Sequence, residues 1–225
     1  MILRPLGQSG YELKSRNSRI LIDPYFSDSV GKRHGRPRML PVPVVEMPCD
    51  GVFCTHDHLD HLDPETVTQF PETQKFYTTG EGVSTLIELS RNQATAMVPG
   101  QTVTVGDFSV AAVFAAHSCE AVGLIVKAEG ITLYFSGDTL FDEKLFQIAA
   151  YKPDITFICI NGRLGNMNCE EALITAKRIG ARVNIPNHYD MFSSNSADPT
   201  LFAHYIPGGK ILEFNQEYNV AELLQ

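Results

Sequence analysis

The segment that most constrains this chain is Thr55-His-Asp-His-Leu-Asp-His61, which follows directly on the apolar run Gly51-Val-Phe-Cys-Thr55. A short apolar run of this kind reads as a buried strand. A strand that ends in a sharply turning loop can aim rigid donors, here His56, His58, Asp60 and His61, at one small volume. Imidazoles suit zinc, iron or manganese, and an added carboxylate hardens the site and allows a second ion beside the first. Two adjacent ions imply hydrolysis, because they make hydroxide available at neutral pH and stabilise an oxyanion as it forms.

Three further candidates obey the same grammar, in which an apolar strand ends and a ligand type follows at once. His117 follows Val110-Ala-Ala-Val-Phe-Ala-Ala116, Asp138 follows Ile131-Thr-Leu-Tyr-Phe-Ser-Gly137, and His188 follows Val183-Asn-Ile-Pro-Asn187. Taken singly, each has a plain explanation: a histidine at a strand end is often structural, and Ser136-Gly-Asp-Thr139 could be a turn with a helix cap. Together with the dense cluster they point to one sheet edge where seven donors meet.

The remaining pattern places those strands. Ile2 to Pro5, Tyr11 to Lys14 and Arg19 to Asp23 read as short strands separated by turn residues. Asp63-Pro64-Glu65 predicts a helix start, and Glu81 to Leu89 a second helix. Thr102 to Val105, Phe108 to Ala116, Gly123 to Lys127 and Ile131 to Phe135 read as strands. Helical segments are expected over Phe141 to Ala150, over Asn168 to Ile179 with a capping box from Asn168 to Glu171 and a stop at Gly180, and over Pro199 to Tyr205. Strands are expected at Ile155 to Ile160, Arg182 to Ile185 and Lys210 to Phe214. With 225 residues, 44% of them apolar, and no composition break, the chain reads as one domain, residues 1–225, of the α+β class: two stacked sheets with helices outside.

Charge narrows the function. A net charge of −8 argues against a nucleic-acid surface. No apolar run approaches the ~20 residues of a membrane span, and the start lacks the apolar stretch of a secretory signal, so a cytoplasmic protein is expected. Five cysteines in mostly apolar settings suit free thiols in a reducing compartment. One basic segment stands out, with Lys32, Arg33, His34, Arg36 and Arg38 in a loop containing Gly and Pro. It reads either as a solvated charge run or as a clamp for an anionic small-molecule substrate. Arg163, following a buried strand, is a further candidate for that role, or a plain surface arginine.

His56-x-His58-x-Asp60-His61, then His117, Asp138 in Gly-Asp-Thr, and His188, in that order, resemble the metal signature of the metallo-β-lactamase superfamily. The resemblance implies an αβ/βα sandwich, with one metal held by His56, His58 and His117, the other by Asp60, His61 and His188, and Asp138 bridging them. It also implies a catalytic role for Asp60 in orienting the nucleophile and relaying its proton. The superfamily's oxygen-reducing diiron branch carries Glu at the place of His58, so His58 favours hydrolysis. The cofactor implied is a pair of divalent ions, zinc or manganese, with iron also compatible.

Gly31-Lys-Arg-His-Gly-Arg-Pro37, Gly165-Asn-Met-Asn-Cys-Glu-Glu171 and Ile185-Pro-Asn-His-Tyr-Asp-Met-Phe192 are similar to the L-ascorbate 6-phosphate lactonase group of this superfamily. That similarity implies a lactone or ester of a small, phosphorylated sugar acid as substrate. At His117 the chain is instead similar to a broader set of related metal-dependent hydrolases, which leaves the substrate open. A phosphodiesterase or nuclease shares the metal motif, and a metal-stabilised binding module without turnover is the reading from another class. Nothing in the sequence sets the oligomeric state, and a homo-oligomer is compatible with it.

Overall fold

Short turns and long crossovers alternate along the chain, and that alternation decides how its strands pair. In the computed structural model, which describes residues 1–225, β1 (Ile2–Gly7), β2 (Gly10–Ser15) and β3 (Ser18–Ile22) are joined by tight turns and are antiparallel. The next three strands, β4 (Gly51–Phe53), β5 (Phe76–Thr78) and β6 (Ala94–Ala96), run parallel to β3 and to one another. Parallel neighbours require crossovers, and these contain helices α1 (Ser29–His34), α2 (Pro64–Val67) and α3 (Gly80–Glu88).

The second sheet repeats the plan. β7 (Thr102–Val105), β8 (Phe108–Phe114), β9 (Val122–Ala128) and β10 (Ile131–Phe135) are antiparallel, whereas β11 (Ile155–Cys159) and β12 (Val183–Asn187) are parallel to β10. A 3₁₀ run, Glu143–Tyr151, and helix α4 (Cys169–Ile179) supply the crossovers. Helix α5 (Pro199–Tyr205), strand β13 (Tyr218–Asn219) and helix α6 (Val220–Leu223) complete the chain. The result is an α+β sandwich of a seven-stranded and a six-stranded mixed sheet with helices on the outer faces.

Strand periodicity explains the layers, because successive side chains point to opposite faces. In β3, Ile20 and Ile22 enter the core between the sheets while Leu21 faces the helices. In β10, Leu133 and Phe135 point inward while Tyr134 packs outward. Phe135 and Phe157 stack across β10 and β11 with ring centroids 4.3 Å apart. Each such buried side chain contributes about 1.5–3 kcal/mol. No helix is long and apolar enough to cross a membrane, and all five cysteines are free.

The caps read from sequence are present. Asp63 accepts from Glu65 N and Thr66 N, and Asn168 and Glu171 form a reciprocal capping box ahead of a left-handed Gly180. Elsewhere the structure departs from expectation. Phe141 to Ala150 is a 3₁₀ run shifted to Glu143–Tyr151, where Leu145 N bonds to Asp142 O and Lys152 N to Ala149 O. Lys210 to Phe214 is not a strand: the chain bridges Asn184 at Gly209, then crosses to the other sheet, where Asn215 N reaches Pro5 O. It therefore spans the two sheets instead of pairing along either, and the last strand is β13 against β1. The basic loop begins as helix α1, which Gly35 ends in the left-handed conformation.

Candidate metal centre

Ligands in open sheets gather beyond the carboxyl ends of strands, and here one end after another supplies a polar group. β4 leads into Thr55–His61, β8 into His117, β10 into Asp138 and β12 into His188, all at one rim of the sandwich. Gly137, in the left-handed region, leaves no room for a Cβ beside Thr55, which is how the Asp138 turn lies against the histidine loop. His188 itself is held at φ +60°, a conformation that non-glycine residues seldom keep without tertiary support.

The seven residues form two groups. In the first, His58 Nδ1 lies 2.9 Å from His56 Nε2 and 3.2 Å from His117 Nε2. His117 Nδ1 is 3.1 Å from the Gly165 carbonyl, so a proton there leaves Nε2 free to face the group. In the second, Asp138 Oδ1 is 3.3 Å from His61 Nε2 and 3.2 Å from His188 Nε2, and Asp60 Oδ2 is 3.3 Å from His188 Nε2. His56, His61 and Asp138 also lie close enough to hold an ion together, so Asp138 is placed between the groups.

Two observations fit these residues to metal. Three imidazole nitrogens converge at hydrogen-bond distance, and neutral rings cannot all satisfy one another there. His61 Nε2 and Asp138 Oδ1 are buried, face each other and make no hydrogen bond; a cation would satisfy both. The donor sets are those of imidazole and mixed imidazole-carboxylate sites.

Electrostatics separate the groups. Burial, with neighbouring imidazoles, pushes His56 well below its ordinary value, and burial also lowers His117. Burial would lower His61 and His188 too, but Asp138 and the other carboxylates outweigh it and raise both, His61 the more strongly. Burial alone would raise Asp60 and Asp138, yet the facing histidines hold both below the usual carboxylate range.

Above the floor opens a cavity of about 430 Å³. His58, Asp60, Asp138 and His188 reach it from below, and His34, Arg36, Phe192, Leu164 and Asn195 stand around it. The other cations lie elsewhere. Lys32 is exposed and pairs with Glu65 at 2.6 Å; Arg33 is exposed and outside the lining. Arg163 donates to Ser194 O at 3.2 Å and braces the loop that carries Asn195. Arg38 is spent on backbone carbonyls of Tyr25, Ser27, Leu40 and Pro41.

Four contributors went unnoticed in the sequence. Buried Asp23 accepts from Thr55 N and Thr55 Oγ1 and lies 2.8 Å from His61 Nδ1, fixing that ring. Gln8 reaches Asp60 and His188, Cys119 Sγ is 3.8 Å from His58 Nε2, and Asn195 takes a hydrogen bond from Asn161. Asp23 had a signal, since Ile20-Leu-Ile-Asp23 is one more apolar strand that ends in a carboxylate.

Fold and site together define a metal-dependent hydrolase scaffold. The chain belongs to the β-lactamase superfamily: the family model for the beta-lactamase superfamily domain matches residues 18–189. It is similar to a metal-dependent hydrolase of Oenococcus oeni, 28% identical over 95% of this chain and 97% of the relative. A metal-dependent hydrolase of Methanospirillum hungatei is 30% identical over 89% of this chain and 91% of its own. Among solved structures, a metallo hydrolase from Ignicoccus hospitalis shares the fold with a TM-score of 0.78, 24% identity, and 96% and 97% of the two chains covered.

Proposed function

We propose that this hydrolase uses two divalent ions, zinc or manganese, to open a lactone or ester of a small anionic molecule, a phosphorylated sugar acid being the reading favoured by the sequence. The observation that supports it is the joining of two donor groups on the floor of a single cavity with His34 and Arg36 standing over it. Bound ions would lower the pKa of a coordinated water and polarise the scissile carbonyl.

The chain's own residues supply the remainder. His56, His58 and His117 would hold one ion, and Asp60, His61 and His188 the other, with Asp138 between. Asp60 is the more accessible of the two floor carboxylates, 19% exposed against 6% for Asp138. Its Oδ2 faces the donors of the second group, 3.3 Å from His188 Nε2, which leaves Oδ1 to orient the attacking water and accept its proton. Arg36 and His34 would neutralise a phosphate or carboxylate at the far end of the substrate, a role in which guanidinium geometry is favourable. Leu164 and Phe192 would give the cavity an apolar wall.

Metal analysis of purified protein, paired with a screen of phosphorylated lactones, simple lactones and phosphodiesters, tests this reading. Two ions per chain with preference for phosphorylated lactones is expected. Turnover confined to phosphodiesters would replace the substrate assignment, and bound metal with no turnover of any ester would make the chain a binding module.

A further inference from the structure

The turn between β1 and β2 places one side chain where no hairpin needs it. Gln8 is 4% exposed and sits at φ +57°, a backbone position that costs about 1–3 kcal/mol for a non-glycine residue unless its surroundings enforce it. They do: Gln8 N donates to Asp190 Oδ1 at 3.1 Å, and its carbonyl accepts from His188 N at 3.2 Å. Both anchors flank the strand end that delivers His188, so the hairpin tip and the second donor group are held as one piece.

The end of the side chain lies among the donors. Its terminal amide position is 2.7 Å from Asp60 Oδ2 and 2.9 Å from His188 Nε2. Those are separations between neighbouring ligand atoms around one small ion, not the ~2.0–2.2 Å from ion to ligand. Gln8 therefore stands beside Asp60 and His188 at the spacing expected of a fellow ligand. The other amide atom, Oε1, is buried and has no hydrogen-bond partner.

The two ends of an amide differ in sign but hardly in shape, and the hydrogen-bond network decides which points where. With no cation beside it, the NH₂ end is drawn to Asp60. Once His188 Nε2 and Asp60 Oδ2 direct their lone pairs at a divalent ion, an N–H at the same place faces like charge. The carbonyl end is then preferred.

We propose that Gln8 turns its amide when the second ion binds and supplies Oε1 as a neutral protein ligand to it. The inference rests on the two-ion reading above. The second site would then hold two imidazoles and three oxygen donors, with Gln8 filling a position otherwise left to solvent. That set is harder than the all-imidazole first site, so oxygen-seeking ions such as manganese would favour it.

The test is a cobalt(II) titration of metal-free wild type, Gln8→Leu and Gln8→Glu, reading stoichiometry, affinity and the visible d–d band of each equivalent, with circular dichroism to establish folding. Wild type should bind two cobalt ions. Gln8→Leu should bind the second on the order of tenfold or more weakly, with a more intense band as the ion loses a ligand. Gln8→Glu, which puts an oxygen at the same vertex, should restore affinity and the wild-type band. A second equivalent unchanged in Gln8→Leu overturns the assignment. So does weaker binding with an unchanged band, which would mean that Gln8 only hydrogen-bonds Asp60. Wild type that binds a single cobalt would sink the two-ion reading itself and this inference with it, a result visible before any variant is made.

Discussion

The two donor groups share a rim yet are built differently. The first is three imidazoles: His58 and His117 are partly exposed, and burial lowers the values of His56 and His117. The second is sunk among two carboxylates, with His61 and His188 raised and both buried almost completely. In one group burial prevails and lowers His56 and His117; in the other the carboxylates prevail and raise His61 and His188. The contrast teaches that burial alone does not set a ligand's state. The same desolvation acts on His56 and His61, and the carboxylates beside His61 reverse its outcome.

The harshest test of this division is Asp138→Ala. On the two-ion reading Asp138 would serve both groups, and without it only the Asp60 carboxylate would offset repulsion between the ions. At least one metal per chain should be lost and activity should fall by about three orders of magnitude or more, read by metal analysis and turnover. Unchanged stoichiometry would show that the groups are independent sites.

Asp23→Asn strikes the second group directly and the first only through Thr55, whose hydroxyl lies 3.1 Å from His56 Nδ1. His61 would keep a partner of similar shape but lose the carboxylate behind Nδ1. Affinity at the second group should fall between about ten- and a hundredfold, while the first group, whose rings do not touch Asp23, keeps its own. Equal losses at both would break the comparison.

The contrast also carries a pH signature. Metal must expel the protons of His61 and His188, whose values lie above the ordinary 6.5. Affinity at the second group should therefore climb above pH 6.5, about tenfold per unit for each proton displaced, and level off beyond the raised values. His56 and His117 lie below 6.5, so through them the first group should show no dependence above that pH. In metal-free protein, the stabilisation from protonated His61 and His188 is complete below 6.5 and is lost as pH rises through their folded-state values. Competition titrations against a chelator at several pH values, with thermal melts of the chelated protein, check both slopes.

How much of this could be read from the sequence follows from range. The caps at Asp63 and Asn168 and the longer strands were legible because their determinants lie within a few residues. The grammar of strand end and ligand was legible too, since it joins a local apolar period to one residue type. Strands β5 and β6 were not, at three residues each, because so short a run shows no period. Lys210 to Phe214 is a short, mostly apolar run that reads as a strand and lacks a partner edge, which is a tertiary fact. Asp23 and Gln8 acquire their roles from neighbours 38 and 180 residues away, and no window along the chain contains both ends. The basic segment divides once folded: helix α1 carries Lys32 to Glu65, while His34 at its end and Arg36 beyond Gly35 come to the cavity.

That dispersal supplies the mildest prediction and separates floor from rim. If both donor groups act on a substrate anchored above them, removing the anchor should leave their division of labour intact. Arg36→Ala should raise KM for a phosphorylated lactone about tenfold, with kcat and metal content nearly constant and little change for a neutral lactone. Lys32→Ala should stay within about twofold on every substrate, since solvent screens an exposed ion pair and this one lies outside the cavity lining. A Lys32 effect equal to that of Arg36 would mean that the segment acts as a diffuse field of charge. An Arg36 effect on kcat with loss of an ion would instead place the rim in the support of the second donor group, and the separation between holding metal and holding substrate would have to be redrawn.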